Sequence, residues 1–283
     1  MNRIFRLGFL IAALSLLSVS CEQIDYPSIS PDDSVEFNYG QMVWHDLITP
    51  NAEQAMDFYS SLFGWTYKTL GKGEMPYHVI YQGDRAIGGI IPLNVKTHPS
   101  GEWLVSVSVP DVDKAVAYNS QKGGKTLFKP THFKGRGRSA LVQDPQGAYI
   151  SFIHSDTGDP DFEISENSWL WNELWTGDLE ASLNYYKGIA PYAAKEVEGE
   201  KVPYFLLQKG QSKLCGIMKN PVENMRSAWL PYIKVTDVES LSSKAASMGA
   251  AIMLEPSPEA RDNSVAIIQD PNGAPFAIQI WNK

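Results

Sequence analysis

An internal duplication, with a spacing of 126 to 127 residues, constrains this chain more than any other feature of its sequence. Several landmarks recur in the same order, which predicts two copies of one domain in series. The repeated landmarks are WHDLITPN at 44–51 and WNELWTGD at 171–178, Phe58-Tyr59 and Tyr185-Tyr186, and DPQGA at 144–148 and DPNGA at 270–274.

The composition fits two globular domains and disfavours a nucleic-acid partner. The chain has 283 residues, of which 43% are hydrophobic and 20% are charged, as is usual for globular proteins. The formal net charge is −8, and the sequence contains no run of basic residues. Because binding to phosphates requires a basic face, we expect no nucleic-acid binding.

The first 21 residues have the pattern of an export signal. Arg3 and Arg6 precede an apolar run at 7–17, which is too short to span a bilayer. The run leads to Ser18-Val19-Ser20-Cys21, which resembles a bacterial lipoprotein signal. The resemblance implies a signal peptide at 1–21, lipidation of Cys21 and attachment to a membrane through that lipid. An ordinary secretory signal is the alternative.

The following segment extends this prediction. Glu22, in place of an aspartate, implies sorting to the outer membrane if the cell has two membranes, so the predicted location is the cell envelope. Residues 22–39 contain prolines and acids without periodicity and are predicted to be a tether. The other cysteine, Cys215, lies in a strand-like run and is predicted to be a small buried apolar residue.

Four segments share one pattern, which is an alternating strand, an Asp or Asn cap, and an amphipathic run closed by glycine. The cap oxygens can accept the free amide protons of the first helical turn, and the glycines suit the left-handed residue after a helix. Further strand-like runs follow, so each unit is predicted to be strand–helix–strand–strand–strand. The caps are Asn51, Asp111, Asp178 and Asp237, and the closing glycines are Gly64, Gly123, Gly188 and Gly249.

The ordered motifs resemble the vicinal oxygen chelate superfamily of glyoxalases, bleomycin-resistance proteins and extradiol dioxygenases. Within it, the chain is most similar to two-domain glyoxalase-like antigens of actinobacteria, which share WxDLxT, FYxxLFGW, GxGR and DPQGA. The resemblance implies an α+β fold of tandem glyoxalase-like domains. Two paired βαβββ units in each domain would form an open curled sheet. The predicted ranges are 40–156 and 168–283, joined by an exposed linker at 157–167.

Metal enzymes of the superfamily place their ligands at fixed points of the curled sheet, and the resemblance locates these points in this chain. None of them is a carboxylate or a histidine here, whereas a divalent metal needs several converging donors. We therefore expect neither a metal nor another cofactor. The positions are Trp44, Leu104 and Ser151 in the first cup and Trp171, Leu230 and Ala277 in the second. The five histidines are scattered through the first half and indicate surface or structural roles more than a metal site.

Strand alternation predicts which side chains line each cup. An aromatic wall with one carboxylate is typical of a small-molecule pocket, in which indoles stack on a flat ligand. A slip of one residue would place His45 and Asn172 inside instead. The predicted lining is Trp44, Asp46, Ile48, Tyr77, Ser106 and Ser151 in the first cup, and Trp171, Glu173, Trp175, Tyr204 and Tyr232 in the second.

Several roles stay open at this point. Trp44 and Trp171 either bind a ligand or fill the cup. Asp46 and Glu173 either bind a ligand or act as general bases, since desolvation can raise the pKa of a carboxyl group. A buried carboxylate needs a donor, and Lys234 is the predicted donor for Glu173. Arg136 and Arg138 lie on a glycine-containing loop and either face solvent or reach an anionic ligand.

The sequence predicts a cell-envelope protein that binds a small molecule in metal-free, aromatic-lined cups. The alternative is a metal-independent lyase or isomerase that uses Asp46 or Glu173 as its base. A third possibility is an interaction scaffold in the envelope. The ligand and the oligomeric state are not indicated, and neither is whether each cup forms within one half or by exchange.

Overall fold

The computed structural model describes residues 25–30, 35–72, 76–93, 100–161, 164–199, 202–222 and 225–282. The predicted signal peptide and Cys21 therefore lie outside the described residues. The helices are α1 (Ala52–Phe63), α2 (Val112–Gln121), α3 (Leu179–Tyr186) and α4 (Val238–Ser247). The first-half strands are β1 (Met42–Thr49), β2 (Thr66–Leu70), β3 (Tyr77–Gln82), β4 (Arg85–Pro92), β5 (Glu102–Ser108), β6 (Lys125–Phe133), β7 (Gly137–Gln143) and β8 (Tyr149–Ser155). The second-half strands are β9 (Trp169–Thr176), β10 (Ala193–Glu196), β11 (Tyr204–Lys209), β12 (Ser212–Lys219), β13 (Ala228–Val235), β14 (Ala251–Leu254), β15 (Val265–Gln269) and β16 (Pro275–Ile280).

Each half of the chain forms its own eight-stranded mixed sheet, which confirms the predicted tandem α+β fold. The strand orders are β2-β3-β4-β1-β5-β8-β7-β6 and β10-β11-β12-β9-β13-β16-β15-β14. An antiparallel pair, β1 with β5 or β9 with β13, joins the two units of a sheet. Each cup therefore forms within one half, and not by exchange of strands between halves.

All four helices begin at the predicted caps. Asn51 accepts the amide proton of Gln54 at 3.1 Å, and the three aspartate caps make the same contact. Gly64, Gly123 and Gly249 have the expected positive φ. Gly188 does not, and it serves a different purpose, because a Cβ there would lie 2.0 Å from the Tyr118 hydroxyl.

The strand after each helix belongs to the predicted strand–helix–strand–strand–strand unit, but the sequence contains no strand-like run that marks its position. These strands, β2, β6, β10 and β14, lie at the sheet edges and are exposed over most of their length. A strand that is exposed on both faces carries no alternation of apolar and polar residues. The missed strands are thus the ones that add least to the core.

Two hydrophobic cores lie between the sheets, and each joins one unit of the first domain to one unit of the second. One core combines α1 and its strands with α4 and its strands, while the other combines α2 with α3. Each sheet therefore joins the two units of one half, whereas each core joins one unit of the first half to one unit of the second. Cys215 is fully buried in the second of these cores, as predicted, and burial raises the pKa of its thiol.

Two tyrosine–aspartate hydrogen bonds connect the halves with the same geometry. Tyr59 of α1 donates to Asp270 at 3.1 Å and accepts from the indole of Trp103 at 3.0 Å. Tyr186 of α3 donates to Asp144 at 2.7 Å and accepts likewise from a tryptophan. Burial is the main cause that raises the pKa of both aspartates. The repeated Phe-Tyr and Asp-Pro-x-Gly motifs therefore contribute to the domain interface.

The segments outside the sheets are more tightly packed than predicted. Ile29 is buried, and the amide of Asn38 donates to Asp159 at 2.6 Å, so the described part of the predicted tether lies against the first domain. Asp159 itself belongs to the predicted exposed linker, yet it is buried and accepts from Ser108 at 2.6 Å. In the described part of the chain, no helix has the length and apolar character needed to cross a membrane.

Candidate functional site

The concave face of the first sheet encloses a cavity of about 480 Å³. The predicted register is correct. His45 lies on the opposite face of β1, where its Nε2 donates to Asn172 Oδ1 at 2.9 Å between the domains. The cavity lining includes all six residues predicted for this cup, namely Trp44, Asp46, Ile48, Tyr77, Ser106 and Ser151. Whether these residues bind a ligand stays a prediction.

One oxygen of Asp46 is held by the cup and the other is open. Asp46 Oδ1 accepts from the Tyr77 hydroxyl at 2.6 Å and from the Trp44 indole at 3.0 Å. Burial raises the pKa of Tyr77, so its hydroxyl stays protonated and donates. The described residues donate no hydrogen bond to Asp46 Oδ2 or to Ser106 Oγ. The cup thus presents one carboxylate oxygen and one hydroxyl to any occupant.

Arg136 also lines this cup, and the sequence analysis left its role open between facing solvent and reaching an anionic ligand. It follows Gly135 on the β6–β7 turn, is only 6% exposed and lines the cavity. Its Nη1 donates to the Tyr77 hydroxyl at 2.7 Å, and its guanidinium lies 4.3 Å from the centre of the Trp44 ring. Within the described ranges, Nε and Nη2 of Arg136 are buried and have no hydrogen-bond partner. Its neighbour Arg138 leaves the cup and pairs with Asp113 at 2.6 Å.

The N-terminal segment places an aromatic ring against Arg136. The Tyr26 ring centre is 5.1 Å from the guanidinium and 5.1 Å from the Tyr77 ring. The Tyr26 amide donates to the carbonyl of Lys134 at 3.0 Å. A Cβ at Gly135 would lie 2.3 Å from the Tyr26 carbonyl oxygen, so the glycine is needed for this approach. The contact between Tyr26 and Arg136 was not predicted, because Tyr26 falls in the predicted tether.

In the second cup, the carboxylate is fully hydrogen-bonded. Glu173 is 1% exposed. It accepts from Tyr232 at 2.5 Å, from Tyr204 at 2.8 Å and from Arg261 at 2.6 Å, with Trp175 at 3.4 Å. The predicted donor Lys234 was therefore wrong, because the Tyr232 hydroxyl and Arg261 occupy the donor positions.

An unusual turn brings Arg261 to Glu173. Arg261, Asp262 and Asn263 have φ values of 51°, 52° and 60°, three left-handed residues in succession. This conformation costs roughly 1–2 kcal/mol for a residue other than glycine, although Asp and Asn tolerate it better. Burial acts to lower the pKa of Arg261, but Glu173 and the nearby tyrosines raise it overall. The ion pair thus offsets part of the strain in the turn.

The second cup contains two separate cavities instead of one. A cavity of about 430 Å³ is lined by Trp171 and Tyr204. Another of about 200 Å³ is lined by Trp175 and Leu230, and Tyr232 lines neither. In the first cup, Ser106 takes the place of Tyr232. The residues that correspond to Trp171, Trp175, Tyr204 and Leu230 all line one continuous cavity there, namely Trp44, Ile48, Tyr77 and Leu104. A serine at this position keeps the cup open.

Donors for a metal do not converge in either cup. The described residues contain no group of three or more His, Cys, Asp or Glu side chains that could hold a metal ion. In the first cup, the residues at the superfamily's ligand positions line the cavity as an indole, an alkyl side chain and a hydroxyl, from Trp44, Leu104 and Ser151. His98 lies outside the described residues. This donor set does not fit the metal of the superfamily's enzymes.

Comparison with known proteins identifies the family. Residues 41–152 match the model of the Glyoxalase/Bleomycin resistance protein/Dioxygenase superfamily. The first domain therefore belongs to this superfamily. The solved Mn(II)-bound glyoxalase from Novosphingobium aromaticivorans is similar in fold, with a TM-score of 0.58, 12% identity and coverage of 86% of this chain and 83% of that one. A variant of homoprotocatechuate 2,3-dioxygenase from B. fuscum has a TM-score of 0.58 at 14% identity, over 90% of this chain and 74% of that one.

Relatives by sequence are similar to both halves of the chain. The predicted glyoxylase CFP32 of Mycobacterium bovis is 27% identical over 252 residues, which cover 86% of this chain and 95% of that protein. The anthracycline biosynthesis protein DnrV of Streptomyces peucetius is 25% identical over 267 residues, which cover 86% of this chain and 94% of that protein. Both relatives are matched over nearly their full length.

Proposed function

We propose that this protein binds a small organic molecule in the cup of its first domain, without a metal. The observation that carries the proposal is a cavity of about 480 Å³ with open polar groups at its centre. Its volume is in the range of small-molecule pockets, which combine an apolar lining with a few oriented polar groups. Aromatic rings of Trp44, Tyr77 and Phe133 line it, and they offer faces and edges on which a flat molecule can stack.

The second cup contributes less to this function. Glu173 already receives hydrogen bonds from Tyr204, Tyr232 and Arg261, and a ligand would have to replace them. Breaking a satisfied buried network costs more than filling an open one. The two cavities of the second cup are accordingly assigned a structural role or a weaker binding role.

A thermal-shift screen tests the proposal. Ligand candidates of several chemical classes are added to the wild-type protein and to Trp44→Ala, Ser106→Tyr and Trp171→Ala. A ligand at 100 times its Kd stabilises the native state by about 2.7 kcal/mol. We expect hits that disappear in Trp44→Ala and Ser106→Tyr and persist in Trp171→Ala. If no compound of any class shifts the wild-type transition, binding is refuted and the scaffold becomes the better account.

The enzyme alternative has one observation in its favour, which is the open Oδ2 of Asp46. This atom faces the cavity and can accept a proton from a bound molecule, so a metal-independent lyase or isomerase reaction is compatible with the cup. Glu173 is less suited to act as the base, because its carboxylate is occupied by four donors. Once a ligand is identified, turnover that survives in Asp46→Asn would exclude this base.

We further propose that the protein works at a membrane surface of the cell envelope, through lipidation of Cys21. The support is the sequence pattern that ends at Cys21, and mass spectrometry of the intact protein tests it directly. Tyr26, which lines the first cup, is five positions after Cys21, so even an extended chain keeps it within about 18 Å of the anchor. An unmodified Cys21 in the purified protein would contradict this assignment.

A further inference from the structure

The most unusual charged group in the molecule is the guanidinium of Arg136. It is 6% exposed, and the described residues place no carboxylate within ion-pair distance of it. A buried charge without a counter-charge normally costs several kcal/mol. Arg136 donates one hydrogen bond, to the Tyr77 hydroxyl, and its guanidinium lies against the faces of three aromatic rings. Burial acts to lower the pKa of Arg136, but Tyr77 and Asp46, which reaches Arg136 only through the Tyr77 hydroxyl, raise it overall. The first cup thus contains a guanidinium that has an acid nearby but no direct ion pair.

The unpaired nitrogens define what that partner must be. Nε and Nη2 of Arg136 carry protons that no described residue accepts. These two nitrogens lie on one edge of the planar guanidinium, which pairs with two oxygens of a carboxylate in a fork. The surrounding rings of Trp44, Tyr77 and Phe133 favour a flat apolar body attached to the anion.

The second domain shows what a satisfied version of this arrangement looks like. There Arg261 reaches Glu173 at 2.6 Å, and the carboxylate of the protein neutralises the guanidinium. In the first domain Asp46 is shorter by one methylene, and the Tyr77 hydroxyl stands between it and Arg136. A ligand carboxylate on the free edge of Arg136 would supply the charge that Glu173 supplies in the second cup.

Tyr26 lies against Arg136 and lines the same cavity. Its ring packs edge-on against Tyr77 and Phe133 with centre distances of 5.1 and 5.3 Å, and its face lies near Arg136. A phenol ring in this position is a neutral aromatic group held where an aromatic ligand would bind. Burial is the first cause that raises the pKa of Tyr26, which keeps this phenol uncharged. Tyr26 therefore fills part of the cup without supplying a carboxylate to Arg136.

We propose that the first cup selects a planar organic anion, whose carboxylate binds Nε and Nη2 of Arg136 after the Tyr26 ring moves aside. This inference rests on the proposed function, since it names the ligand class of the same cup. Arg136 determines the charge of the ligand, while the open Ser106 and the aromatic rings determine its shape.

Isothermal titration with two matched probes, 2-naphthoate and its neutral amide 2-naphthamide, tests the inference. The full-length protein is used in detergent, with detergent alone as the blank. We expect 2-naphthoate to bind the wild-type protein about tenfold more tightly than 2-naphthamide, which corresponds to one charge-assisted contact. This preference should be lost in Arg136→Met and should persist in Arg138→Met, a control on the same turn. Arg136→Lys retains the charge without the fork and should keep part of the preference.

The position of Tyr26 gives a second, independent readout. In Tyr26→Ala the ring no longer competes, so 2-naphthoate should bind several-fold more tightly than it binds the wild-type protein. An unchanged or weaker affinity would overturn displacement of Tyr26. Equal binding of both probes to the wild-type protein and to Arg136→Met would overturn the selection of anions but would leave the binding function intact. If neither probe binds the wild-type protein or Tyr26→Ala, the inference fails, whereas the proposed function fails only if the thermal-shift screen also finds no ligand.

Discussion

The two cups derive from one duplicated sequence but differ in how their central charges are balanced. In the first cup, Asp46 and Arg136 are kept apart by Tyr77, and each has unpaired polar atoms at the cavity. In the second, Glu173 and Arg261 form a direct ion pair. The difference shows that one longer acid and one redirected arginine can pair the polar groups of a cup with one another, while the order of the strands around it is unchanged.

The divergence is greater at the concave faces than at the convex ones. At the convex faces, Tyr59 with Asp270 and Tyr186 with Asp144 repeat the same contact in both directions. The cores that join the halves depend on these faces, so both copies retain this contact. The cups were freer to diverge, because an open cup contributes little to the stability of the fold.

The largest effect on stability is expected from the two arginines. Arg261→Met leaves the buried Glu173 without its counter-charge and should reduce the free energy of unfolding by about 2–3 kcal/mol, less than for a fully buried pair because the Arg261 side chain is 40% exposed. Arg136→Met removes a buried charge that has no direct ion pair, so it should leave the free energy of unfolding unchanged or raise it. Urea denaturation of both variants measures the difference. Equal losses in the free energy of unfolding would show that Arg136 stabilises the fold as much as Arg261 does, which would contradict the proposed difference between the cups.

His45 and Asn172 occupy equivalent positions in the two domains but are different residues, and they hydrogen-bond to each other at the domain interface. The contribution of His45 to the stability of the fold depends on pH. Burial, opposed weakly by the hydrogen bond to Asn172, lowers the pKa of His45 from 6.5 to about 4. Between these values the unfolded chain binds a proton that the folded chain does not. The folded state therefore loses stability as the pH falls through this window, by up to about 3 kcal/mol.

Comparison of the wild-type protein with His45→Gln isolates this contribution. The raised pKa values of Asp144 and Asp270 act in the opposite direction in both proteins, so they cancel in the difference. We expect the stability advantage of His45→Gln to grow from pH 7 to pH 4. Parallel pH profiles for the two proteins would show that folding does not change the pKa of His45.

A smaller and symmetric effect is expected at the interface tyrosines. Tyr59→Phe and Tyr186→Phe each remove one hydrogen bond to a buried aspartate, at a cost of about 1.5–3 kcal/mol. The two losses should agree within the error of chemical denaturation, because the two contacts are equivalent. A large inequality would show that the divergence extends beyond the cups.

Much of the fold was predictable because its signals are local. The caps at Asn51 and Asp178, the alternation in β1 and β5, and the repeated motifs each follow from backbone geometry. The edge strands were missed, since they are exposed on both faces and have no apolar period. Gly188 was misread because its need for glycine comes from Tyr118, which is distant in sequence.

The candidate site was predictable only in part. Alternation in β1 correctly placed Trp44 and Asp46 in the cup, but the arginines lie on turns whose course no periodicity reveals. The contrast between Ser106 and Tyr232 was available from the alignment of the two halves, and it was the signal that one cup is open. The approach of Tyr26 depends on tertiary packing and leaves no pattern in the sequence.

The number of ligand sites per chain tests the central claim, that the first cup has unpaired polar groups for a ligand whereas the polar groups of the second are paired with one another. Calorimetric titration of the wild-type protein with 2-naphthoate should give one site, which Ser106→Tyr abolishes and Trp171→Ala leaves intact. Two equivalent sites, or a single site that is lost in Trp171→Ala and kept in Ser106→Tyr, would contradict the account.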